Sequence, residues 1–129
     1  MYLKSSCAVA AILIAGMAIG SVLTTALRAQ NTPPAYLVAE EAIHDLDTFT
    51  KDYRPKVPPT LQPYGGRFVV RGGNLTALEG DAPPRLVIIA FDSVEKARAW
   101  YNSPAYQRLA PIRQKASKST LFIAEGVPN

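Results

Sequence analysis

Two short runs in the C-terminal half of the chain are apolar at successive positions: Arg85-Leu86-Val87-Ile88-Ile89-Ala90-Phe91, and the centre of Ser119-Thr120-Leu121-Phe122-Ile123-Ala124-Glu125. A strand sends alternate side chains to opposite faces, so a strand built from either run carries apolar groups on both. That is the pattern of a sheet covered on both sides. A chain of 129 residues has room for one domain, and one layer of helices leaves the second side of such a sheet to be covered by something else.

The remaining elements follow from residue pattern. Tyr36-Leu37-Val38-Ala39-Glu40-Glu41 reads as a first strand. Asp45 or Asp47 can cap a helix in which Leu46, Phe49, Tyr53 and Val57 recur at helical spacing on one apolar face. Pro55 lies inside that pattern and predicts a kink or restart, and Pro58-Pro59 limits the continuation. After Tyr64-Gly65-Gly66, the run Arg67–Arg71 reads as a strand with Phe68 and Val70 on one face and Arg67, Val69 and Arg71 on the other. Gly72-Gly73 predicts a bend, with Asn74–Glu79 resuming the strand and Gly80–Pro84 turning it into the antiparallel run Arg85–Phe91.

Asp92 then reads as a cap, with Glu95 three residues on and Val94, Ala97 and Tyr101 on the inner face of a second helix. Asn102-Ser103-Pro104 ends it and nucleates a short helix through Ala105–Leu109, which Pro111 interrupts. The order strand, helix, strand, strand, helix, strand predicts an α+β fold: a ferredoxin-like βαββαβ sandwich, with a four-stranded antiparallel sheet and helices on one face. The simplest cover for the other face is a second copy, sheet against sheet about a two-fold axis, which predicts a homodimer.

The first 30 residues read differently. From Ser5 to Leu27 Cys7 is the only ionisable side chain, and Ala8–Leu23 is almost wholly apolar. Behind Lys4 this predicts a signal peptide or N-terminal membrane anchor over residues 1–30, with candidate cleavage after Ala26 or Ala29, then a linker over 31–35 and the domain over 36–127. The protein is expected to be exported, periplasmic or extracellular, and to meet a membrane only through that segment if it stays uncleaved. Without the leader the domain holds no cysteine, which excludes a disulfide or a thiolate metal site. With Lys4 and Arg28 set aside, the fourteen basic residues fall to twelve against ten acidic ones, a near-balance that argues against a nucleic-acid partner.

Four ordered motifs, Tyr64–Gly73, Leu78–Asp81, Arg85–Ile88 and Ala97–Tyr106, together resemble the family catalogued as domain of unknown function 1330, in the dimeric α+β barrel superfamily. The resemblance spans Tyr36 to Val127. It implies a ferredoxin-like fold and a face-to-face dimer, and it implies no established activity. Relatives in the wider superfamily include cofactor-independent monooxygenases, haem-degrading enzymes and isomerases, a range that reflects how one scaffold hosts unrelated chemistries.

Among the residues that carry chemistry, Tyr64, Arg67, Arg71, Glu79 and Arg85 gather on or beside the central hairpin, with Tyr106 near the second helix. Arg67 and Arg71, read as sharing a strand face, would present two guanidinium forks to a carboxylate or phosphate. The alternative is structural pairing of Arg67, Arg71 and Arg85 with Glu79, Asp81 or Asp92. Trp100, Tyr101 and Tyr106 line an aromatic cavity or serve as core. The one histidine, His44, reads as a solvated loop residue, Asp45, Asp47 and Asp52 as capping acids without calcium-loop spacing, and Asn74-Leu75-Thr76 as a chance sequon within a strand. No metal and no cofactor are expected. Two functions remain open: an exported, homodimeric binding or assembly module, or a cofactor-independent monooxygenase or isomerase acting on a small acidic organic molecule.

Overall fold

The computed structural model describes residues 31–129, so the predicted leader and Cys7 lie outside the described residues. Within Pro33–Pro128, which forms one compact unit, four strands make a single antiparallel sheet: β1 (Ala35–Ile43), β2 (Arg67–Arg71), β3 (Leu86–Phe91) and β4 (Ser117–Glu125), in the order β2-β3-β1-β4. The nine-residue strands β1 and β4 take a central and an edge position. On β1, Leu37 and Ala39 turn inward and align with Ile89 and Val87 of β3 and with Ile123 and Leu121 of β4.

The helical layer covers that inner face. After β1 come α1 (Leu46–Thr48), a π-helical turn over Phe49–Tyr53, a 3-10 turn over Arg54–Lys56, α2 (Val57–Leu61) and a 3-10 turn over Gln62–Tyr64. After β3 come α3 (Val94–Tyr101), α4 (Pro104–Gln107) and α5 (Ala110–Ala116). Phe49, Tyr53, Val57 and Leu61 from the first set and Ala97, Trp100, Tyr106 and Ala110 from the second join the inner residues of the sheet in one buried cluster. This is the ferredoxin-like α+β arrangement that the order of elements predicts.

Some local expectations hold and others are corrected. As Pro55 predicts, the first helix is interrupted, because Pro55 and Pro58-Pro59 cannot donate backbone hydrogen bonds and the chain changes helical pitch around them. Asp45 caps it, its carboxylate accepting from the Thr48 N–H at 3.1 Å. Leu46 lies outside the apolar face and is exposed. Ser93 caps α3, its hydroxyl accepting from the Lys96 N–H at 3.2 Å, while Asp92 pairs with the Lys96 ammonium at 3.1 Å. Pro111 opens α5 rather than breaking it, since a proline in the first turn gives up an N–H that has no helical partner.

The segment Asn74–Glu79 forms no strand. Gly72 and Gly73 take left-handed φ values of 68° and 85°, which turn the chain off the sheet into an exposed loop that runs to Arg85 and carries Leu78 outward. Gly72 is favoured there by its φ, and a Cβ would push the Arg85 guanidinium aside.

The largest correction concerns β2. The ladder pairs Arg67 with Ala90, Phe68 with Ile89, Val70 with Ile88 and Arg71 with Val87, which leaves Val69 as the extra residue of a β-bulge. One extra residue reverses the faces beyond it. Arg71 therefore joins Phe68, Ile89 and Val87 on the inner face, and Arg67 and Val70 turn outward. The outer face carries the row Val70, Ile88, Val38 and Phe122 across all four strands, and beside it Arg67, Ala90, Tyr36 and Ala124.

Candidate functional site

A cleft lies between the helical layer and the inner face of the sheet, and each wall has a local cause. The sheet contributes Leu37, Ala39, Val87 and Ile89, then Arg71, which the Val69 bulge has turned inward. The π-helical turn, closed by the Arg54 N–H on the Phe49 carbonyl, brings the Phe49 and Tyr53 rings to 5.0 Å. Such wide turns recur at functional sites. From the other side come Trp100 on α3 and Tyr106 on α4, their rings 4.1 Å apart. The Trp100 indole donates to Thr60 Oγ1 at 2.9 Å, which ties α3 to the first helical segment. The cleft is partly open to solvent, and its free space is about 30 Å³, room for about two waters.

Three guanidinium groups, those of Arg54, Arg71 and Arg85, face this mostly apolar space with one carboxylate, Glu41. Arg85 is committed: its Nε donates to Glu41 Oε2 at 2.9 Å, and its guanidinium stands 5.6 Å from the Phe49 ring centre. Glu41, 3% exposed, has its carboxyl pKa raised by burial, against the opposing pull of Arg85 and Arg113. Arg71 is uncommitted. Its guanidinium lies 4.4 Å from the Phe68 ring centre and makes one described hydrogen bond, to the Arg54 carbonyl at 3.3 Å. Partial burial, then Arg54 and Arg85, hold its pKa below the usual arginine value. Of these causes, the like charges of Arg54 and Arg85 are the ones that favour an incoming anion.

Deeper in the cleft the Tyr53 and Tyr106 hydroxyls lie 2.9 Å apart. The Arg113 Nε donates to the Tyr106 oxygen at 3.3 Å. Burial, then the neighbouring Tyr106, push the Tyr53 phenol far above its ordinary pKa, so it stays protonated and able to donate.

Of the residues singled out by sequence, Arg71, Arg85 and Tyr106 line the cleft. Arg67 is on the opposite face of the sheet, Glu79 sits in the exposed loop, and Tyr64 packs at the edge of the core. Arg67 and Arg71 therefore form no joint fork, and the described partner of Arg85 is Glu41, not Glu79, Asp81 or Asp92. His44 is exposed, and the sequon Asn74-Leu75-Thr76 lies in the loop, not in a strand. Among the described residues no group of three or more His, Cys, Asp or Glu side chains is placed to hold a metal ion, and no helix is long and apolar enough to cross a membrane.

Glu41, Tyr53, Arg54 and Arg113 were not picked out by sequence. Glu41 had a signal: it continues the inward series Leu37, Ala39 and so places a carboxylate on an apolar face. Arg113 had none, because its helix was not anticipated.

The model of the family described as domain of unknown function (DUF1330) matches residues 34–127, which takes in all four strands and every cleft residue. The chain belongs to the DUF1330 family. Among solved structures, this DUF1330 domain is similar to RPA0582, a protein of unknown function from Rhodopseudomonas palustris, with a TM-score of 0.60 and 17% identity over 75% of this chain and 85% of that one. The methylated RPA0582 protein gives 0.59 and 18% over 74% and 82%. SnoaB, a cofactor-independent oxygenase from Streptomyces nogalater, gives 0.43 and 12% over 76% and 97%. For the two RPA0582 structures, at these identities, the likeness is one of fold. No curated protein matches the chain.

Proposed function

We propose that this DUF1330 protein is an exported, homodimeric binding module whose protomers each take a small organic anion, a carboxylate, into the cleft between sheet and helices. The observation that carries the reading is Arg71: a guanidinium turned inward by a bulge, stacked on Phe68, spending one of its donors on a backbone carbonyl and facing an apolar space with two further arginines and one carboxylate. A carboxylate matches the planar fork of arginine with two parallel hydrogen bonds, and Phe49, Trp100 and Leu37 suit an apolar body behind it.

The dimer reading rests on the outer face. Val70, Ile88, Val38 and Phe122 make an apolar row across four strands with no helix over it among the described residues, and a second copy offers the same row for sheet-on-sheet packing. Export rests on the leader pattern of the sequence.

A second reading, a cofactor-independent enzyme acting on the same anion, is favoured by Glu41, a buried carboxyl in the cleft whose pKa is raised by burial. The test of the binding reading is a thermal-shift series with small carboxylates on the wild type and on Arg71→Ala. Stabilisation that disappears in the variant is the expected result; equal stabilisation in both contradicts it.

A further inference from the structure

The two phenols at the inner end of the cleft do not exhaust each other. Tyr53 and Tyr106 have one O–H apiece, and a single hydrogen bond of 2.9 Å joins them. Whichever phenol donates, the other keeps its hydrogen. Arg113 cannot take it up, because its Nε is itself a donor to the Tyr106 oxygen. No other described group accepts from either phenol, and both line the cavity with room for about two waters. Tyr106 is fully buried. One phenolic hydrogen is therefore left without a described acceptor, on a pair of side chains that line the cleft.

Resting on the anion reading above, we infer that the Tyr53–Tyr106 pair is a second recognition point of the cleft, donating to a ketone oxygen, so that the ligand class is an oxo-carboxylate. The carboxylate engages Arg71 at the exposed mouth, the carbon skeleton meets the apolar lining as the cleft widens beyond its present 30 Å³, and the ketone oxygen takes the place of water on the phenol. A ketone suits this position better than a second carboxylate. It is a neutral acceptor that asks for one donor, while a second anion would require the cation of Arg113, which is held behind Tyr106.

Levulinate and valerate form a matched pair of probes, the same chain length with and without the ketone. Titrated into the wild-type protein and followed by the fluorescence of Trp100, the only tryptophan of the chain, levulinate binds more tightly by about fivefold, the ratio for one neutral hydrogen bond. In Tyr53→Phe/Tyr106→Phe the ratio falls to about one, while Arg71→Ala weakens both acids alike. A second readout needs no variant: the infrared stretch of the levulinate ketone shifts to lower frequency on binding to the wild type. Equal binding of the two acids, or a bound ketone with an unshifted stretch, overturns the inference and leaves the anion reading standing. Binding of neither acid overturns both.

Discussion

Arg67 and Arg71, four residues apart on one strand, stand on opposite faces of the sheet. Arg67 aligns with Ala90 on the outer face and Arg71 with Val87 on the inner one, because Val69 is absorbed in a bulge between them. Without that extra residue the two would share a face, as period-two alternation requires. The bulge is what gives the cleft its uncommitted cation and leaves the outer face mostly apolar.

The glycine beside Arg71 should be intolerant of a side chain. Gly72 has φ +68° and lies against the Arg85 guanidinium, so Gly72→Ala is expected to cost about 1–3 kcal/mol in backbone strain alone. Urea unfolding measures the cost. Because Arg85 must also move, carboxylate affinity should fall in the same variant.

Trp100 anchors the back of the cleft, 1% exposed, against Phe91 and Tyr106. Trp100→Ala removes the largest buried side chain and should cost about 3–5 kcal/mol. Trp100→Phe keeps the ring contact and loses the hydrogen bond to Thr60, and it should cost clearly less. Thermal melts of the two variants give the comparison.

Glu41 makes the domain sensitive to pH in a defined direction. Burial raises its folded-state pKa above the ordinary 4.5, so the folded protein holds the proton more tightly than the unfolded chain does. That contribution is complete below about pH 4.5 and is lost as pH rises through the folded value. Relative to Glu41→Gln, the wild type should therefore lose stability as pH rises from about 4.5 toward neutrality. Urea melts of both proteins across that range provide the test, and the opposite slope would show Arg85 outweighing burial.

The apolar outer row predicts the assembly state. Ile88→Lys or Phe122→Asp places a charge within the sheet-on-sheet contact and should yield a folded monomer by sedimentation velocity with unchanged far-ultraviolet dichroism. A wild-type protein that sediments as a monomer at high concentration would contradict the dimer.

Much of the architecture was legible where period and composition agree. Leu37 and Ala39 alternate regularly and β3 and β4 are apolar throughout their centres, so the sequence of elements along the chain and the antiparallel pairing of β2 with β3 follow from pattern. Legibility failed where one residue or one backbone conformation decides. Arg67-Phe68-Val69-Val70-Arg71 alternates as cleanly as any regular strand, and nothing in its composition marks Val69 as the bulge. The run Asn74–Glu79 has ordinary strand residues, yet two left-handed glycines carry it off the sheet. Pro111 has the same chemistry at the start of a helix as in its interior, and only position separates a first-turn residue from a breaker. The site inherits these failures: Arg71 was chosen with the wrong companion, and Arg113 was hidden with its helix.

A calorimetric titration of valerate into the wild type, Arg67→Ala and Arg71→Ala measures the central claim, that the inward arginine alone receives the carboxylate. The account predicts that Arg67→Ala binds as the wild type does, while Arg71→Ala loses about tenfold to a hundredfold in affinity, the range for a charge-assisted contact. Loss of binding in Arg67→Ala with Arg71→Ala unaffected would place the anion on the other side of the sheet and contradict it.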